Sequence, residues 1–83
     1  MDNNINIFPN PINTTATIQI NEQMKVKNAE MKIIDIMGRT VKTISSIQSN
    51  EFTFDRDKLS DGIYFYQLSQ GNEIIAKGKM LIE

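Results

Sequence analysis

The sequence predicts an all-β fold, a sandwich of about seven short, mostly antiparallel strands. Three observations predict it. Apolar residues recur with a period of two, as on half-buried strands. β-Branched and aromatic residues dominate those runs. Turn residues punctuate them at close spacing: Pro9-Asn10-Pro11, Asn21-Glu22, Gly38-Arg39, Ser49-Asn50, Asp61-Gly62 and Gly71-Asn72.

The first run covers 5–8 and leads into "FPNP". Pro9 and Pro11 fix φ and donate no N–H, and Asn10 before Pro11 is pushed to extended conformations. The stretch is therefore a rigid lead-in at a sheet edge or before a strand, setting Phe8 against the core. It lacks the P-x-x-P spacing that proline-reading partners need. The second run, 15–21, has Ala16, Ile18 and Ile20 on one face and Thr17 and Gln19 on the other. "NEQMKVKN" reads as loop and edge strand, with Met24 and Val26 weakly placed.

In the third run, 29–37, Met31 and Ile33 oppose Ile34 and Ile36. "MGRT" is a tight turn into the fourth, 40–47, and the fifth, 51–55, aligns Phe52 with Phe54. The sixth, 62–69, sets Ile63 and Phe65 opposite Tyr64, Tyr66 and Leu68. Runs three and six are apolar on both sides, which suits central strands covered above and below. "QGNE" is a tight hairpin, since Gly71 and Asn72 both tolerate positive φ. In the last run, 73–82, Ile74, Ala76, Gly78, Met80 and Ile82 alternate with Ile75, Lys77, Lys79 and Leu81.

Composition narrows the function. A chain of 83 residues forms one domain, 1–83, with 1–6 as residual linker. So small a core needs nearly every apolar residue, leaving little for a deep pocket. There is no cysteine for a disulfide, zinc knuckle or thiol nucleophile, and no histidine for general-base or metal chemistry. The net charge of −1 has no basic excess to attract nucleic acid. No apolar run approaches the roughly 20 residues of a membrane helix. "MDNNINIF" is not a signal peptide, and a longer natural chain is expected ahead of Met1.

Site-like clusters read mostly as structure. "DRDKLSDG" gathers Asp55, Asp57 and Asp61, but the next ligand position of a calcium loop falls on Leu59 and no closing glutamate follows. Paired acids for glycoside hydrolysis would lack a cleft, and Ser60 would lack a base. No catalytic residue, metal or cofactor is expected. "NTT" at Asn13 matches a glycosylation acceptor but reads as polar strand start. Tyr64 and Tyr66 read as core or interface packing rather than a sugar platform, with the Tyr64 hydroxyl reaching a backbone partner. "DGIY" resembles the tyrosine corner of immunoglobulin-like sandwiches, without their Cys and Trp hallmarks, and bears on the architecture only. Lys77 and Lys79 either guard a sheet edge or, with Glu83, form a recognised terminal tag.

Four motifs occur in one order: "FPNP" at 8–11, "IIDIMGR" at 33–39, "LSDGIYFYQL" at 59–68 and "KGKMLIE" at 77–83. The chain resembles the type A C-terminal sorting domain of the type IX secretion system. That family shows an aromatic residue before Pro-Asn-Pro, an apolar strand ending in Asp-x-x-Gly-Arg/Lys, a Leu-x-x-Gly-x-Tyr, and a closing lysine with an apolar tail. The resemblance runs from about Asn6 to Glu83.

It implies an immunoglobulin-like sandwich, monomeric, at the end of a larger exported protein. The passenger crosses the inner membrane by its own signal peptide, passes through the periplasm, and reaches the cell surface or medium. The implied partners are an outer-membrane shuttle, a translocon and a sortase. By position, Phe8, Pro9, Asn10 and Pro11 match the first motif. Asp35, Gly38 and Arg39 match the second, with Gly38 making the turn and Arg39 pairing with Asp35. Leu59, Gly62 and Tyr64 match the third as corner and core anchor. Lys77, Lys79, Met80, Leu81, Ile82 and Glu83 match the terminal signal that the machinery reads. Ile34 stands where the family often has tyrosine, and no processing site is recognisable ahead of Phe8. The competing reading is an immunoglobulin-like binding or adhesion module of a surface protein.

Overall fold

The computed structural model describes residues 4–83. Its strands are β1 (Ile5–Phe8), β2 (Thr15–Ile20), β3 (Ala29–Ile34), β4 (Thr40–Ile47), β5 (Glu51–Asp55), β6 (Gly62–Gln70) and β7 (Glu73–Ile82). They form two antiparallel sheets, ordered β1-β2-β5 and β4-β3-β6-β7. The inner faces meet in one core, with Ile18, Met31, Ile33, Phe54, Leu68 and Ile82 among its most enclosed members. The fold is the all-β sandwich that the alternation predicts, consistent with an immunoglobulin-like arrangement. Strict period two places one face of each strand inside, because successive side chains point to opposite sides of a sheet.

β3 and β6 are indeed central in their sheet, but they are covered on one side only. Ile63 and Phe65 remain 46% and 43% exposed on the outer face. Seven strands make two layers, and a two-layer sandwich leaves each outer face to solvent. β3 also stops at Ile34 rather than at 37, so Ile36 and Met37 sit exposed at the tip of the turn. "NEQMKVKN" is loop without strand, although Met24 and Val26 pack on the core edge.

Phe8 does not enter the core; it is 42% exposed. Ile5 and Ile7 face inward from β1, so parity turns Phe8 outward beside Thr17. The interior residue of this region is Ile12, fully buried after the second proline. Ile74 and Ile75 also trade places. The two-residue turn sets Gln70 opposite Glu73, which puts Ile74 outside and Ile75 inside. An extra residue at Ile75, a β-bulge, then resets the parity so that Ala76 also faces in. In that turn positive φ occurs at Gly71 and not at Asn72. Within the linker that the sequence predicts at 1–6, Asn4 donates to the Ile75 carbonyl and Ile5 and Asn6 belong to β1; 1–3 lie outside the described residues.

Candidate functional site

The four motifs, far apart in sequence, meet at one end of the sandwich. β1 and β5 finish there, β2 and β6 start there, and β3 and β7 finish beside the start of β6. The chain enters at the opposite end, where Ile5 pairs with Ile20 and the Asn21 amide donates to the Asn4 carbonyl.

The proline segment crosses from one sheet to the other and fastens the end of β7. The Ile12 amide donates to the Leu81 carbonyl at 2.8 Å, and the Glu83 amide donates to the Ile12 carbonyl at 2.9 Å. Ile12 thus forms a parallel bridge with Ile82. The Leu81 amide donates to Asn10 Oδ1 at 3.1 Å, so the Asn10 carboxamide accepts from the edge of β7 beside the Ile12 bridge. Both X-Pro bonds, Phe8–Pro9 and Asn10–Pro11, are cis.

Arg56 ties three of these pieces together. Its Nε and Nη2 donate to the Leu59 carbonyl at 3.1 and 2.9 Å, Nη1 donates to the Asn13 carbonyl at 2.8 Å, and Nη2 reaches Asp61 at 2.6 Å. The Glu83 carbonyl lies 3.5 Å from Nη1. A planar guanidinium presents five N–H donors in a rigid fork, whereas a lysine ammonium has three on a flexible stem. Arg56→Ala is expected to destabilise the fold by about 1.5–3 kcal/mol, the range for charge-assisted hydrogen bonds, in urea unfolding. Arg56→Lys is expected to recover less than half of that loss.

Asp35 organises the β3–β4 turn. Its Oδ1 accepts the Met37 and Arg39 amides, each at 2.9 Å, and its Oδ2 accepts Arg39 Nε at 2.9 Å. The Gly38 amide donates to the Asp35 carbonyl, and Gly38 takes φ +87°. The turn is three residues long, with glycine at the left-handed position. The Arg39 backbone amide, above all, holds the Asp35 carboxyl below its ordinary 3.8, partly offset by desolvation. A depressed folded value means that this stabilisation is present above about pH 3.8 and is lost as pH falls through the lower folded value. The Arg39 amide shift, followed by NMR, is expected to titrate with a midpoint below 3.8; a midpoint at or above it overturns the assignment.

The third motif builds a corner. Gly62 opens β6 at φ +154°, and the buried Tyr64 donates its hydroxyl to the Ser60 carbonyl at 2.7 Å. Leu59 is half-buried against the core. The nearby carboxylates are absorbed internally, Asp57 by Lys42, Asp61 by Arg56, and Asp55 by the Asp57 amide. Hydrogen bonding by Lys42, first among its causes, lowers the Asp57 value. A groove bounded by Asp35, Ile36, Met37, Arg39, Leu59 and Ile63 joins the second motif to the third.

The family model of the secretion system C-terminal sorting domain matches residues 6–83. The chain belongs to this type IX sorting family. A search among curated proteins returns no match.

In this sorting domain the terminal residues divide by parity. Met80 and Ile82 are 1% and 0% exposed and belong to the core, whereas Lys77, Lys79 and Glu83 are exposed and Leu81 half-buried. Only the second group offers side chains to a partner of the folded sorting domain. Gly78 faces the buried Tyr66 across the strands, and a Cβ there would meet the tyrosine ring at 2.6–2.9 Å. Sequence reasoning missed Arg56 and the need for Gly78. Glycine inside a strand was the available signal for the second, because it often marks a close approach. Arg56 carried no local signal; its partners at Asn13 and Glu83 lie 43 and 27 residues away.

Proposed function

We propose that this sorting domain is the export signal of a covalently attached N-terminal passenger. It is substrate rather than catalyst, read in the periplasm by the outer-membrane shuttle and translocon of type IX secretion. A sortase then leaves the passenger on the cell surface or in the medium. One observation carries this reading: the family match spans nearly the whole chain, residues 6–83. The geometry supports it. The motif end lies opposite the end where the passenger joins, so a bulky cargo leaves the motifs accessible.

Residues 1–83 fused behind a reporter with its own signal peptide are expected to bring the reporter outside a host that has this system. The reporter without them is expected to stay in the periplasm. Equal periplasmic retention of both overturns the proposal.

A further inference from the structure

The uncovered outer face of the four-stranded sheet gathers side chains from three of the motifs. Cross-strand register arranges them in rows: Ile34–Phe65–Lys79, Lys32–Gln67–Lys77 and Ile63–Leu81. Phe65 and Ile63 are over 40% exposed, and the face carries a shallow apolar depression of about 360 Å³ beside Phe65 and Lys79. Lys32 and Lys79 have no ion pair among the described residues. The face is thus an apolar stripe flanked by the Lys32 and Lys79 ammonium groups, with Glu30 a carboxylate on the next row opposite Ser69. Covering the stripe is favourable, and covering the lysines is favourable only where anionic groups pair with them.

A symmetric pairing with a second copy would bury the Lys32 and Lys79 ammonium groups of both copies in one interface, at a desolvation cost. The rows repeat roughly every 7 Å along the strands, the two-residue repeat of an extended chain. That repeat matches alternate side chains of a peptide and has no counterpart in lipid headgroups.

We infer that this face docks an export partner protein through an acidic segment with interspersed apolar side chains. The inference rests on the sorting function proposed above and names where, and with what chemistry, the domain is read. Lys79 and Leu81 are then the terminal residues that make contact, while Met80 and Ile82 hold them in place.

In the exporting host, the Lys32→Glu/Lys79→Glu pair and, separately, Phe65→Ser are expected to slow appearance of the reporter outside at least tenfold, with melting temperatures within a few degrees of the parent. Thr53→Glu, on the outer face of the other sheet, is expected to change neither. A photo-reactive phenylalanine analogue at position 65 is expected to cross-link to an outer-membrane export subunit, with the lysine pair substitution cutting the adduct at least tenfold. Parent-like export of both face variants overturns this docking face while leaving the sorting function standing. Failure of the unsubstituted fusion overturns the sorting function itself. Two further outcomes overturn the acidic-protein assignment. One is co-sedimentation of the purified chain with phosphatidylcholine–phosphatidylglycerol vesicles, abolished by the lysine pair substitution. The other is a dimer in analytical ultracentrifugation, abolished by Phe65→Ser.

Discussion

Ile82→Ala is expected to lower the stability of the sorting domain by about 2–5 kcal/mol, and Met80→Ala by a similar amount. Both side chains are fully enclosed, and each truncation removes transfer energy and leaves a cavity. Small domains have total stabilities near the low end of about 5–15 kcal/mol, so either loss is a large fraction of the whole. Lys79→Ala, on the exposed face of the same strand, is expected to stay within about 0.5 kcal/mol. Urea unfolding followed by circular dichroism checks all three, and a parent-like midpoint for Ile82→Ala overturns the placement of that strand. The contrast matters for any truncation of the terminal segment. Removing 79–83 deletes two core residues and the amides held by Asn10 and Ile12, so it is expected to dismantle the fold as well as remove the exposed terminal side chains.

Gly78→Ala is the second large effect. Its new methyl would lie 2.6–2.9 Å from the hydroxyl end of the buried Tyr66 side chain, closer than van der Waals contact allows unless the ring shifts. Overpacking of this kind costs about 1–3 kcal/mol. The discriminating measurement is a double-mutant cycle with Tyr66→Leu, in which the alanine is expected to cost less than half as much once the ring is gone. Full additivity would show that the methyl and the ring do not meet.

Much of this was legible because β-structure writes its inner face into alternate residues. Ala16, Ile18 and Ile20 declare their side without reference to any other strand. Gly71 and Asp61-Gly62 likewise announce turns from local backbone chemistry. The misreadings have two causes. Ile36 and Ile74 are apolar residues whose placement depends on where a strand stops or slips, at the Asp35 turn and at the Ile75 bulge, whereas Phe8 simply follows the parity of Ile5 and Ile7 outward. Period two tells which residues share a face; a single extra residue in a pairing reverses that parity afterwards.

Local spacing and motif order are enough to reveal most of the strands, their central pair, the turn glycines, the tyrosine corner and the family. Folding alone brings the four motifs to one end, sets Ile12 and Asn10 against the edge of β7, and lets Arg56 join two loops to the end of that strand. It also sends Met80 and Ile82 into the core while Lys79 and Leu81 face outward beside Phe65. Those are long-range facts. They come from closing two sheets over one core, and nothing in a stretch of ten residues encodes which distant carbonyl or ring will lie against it.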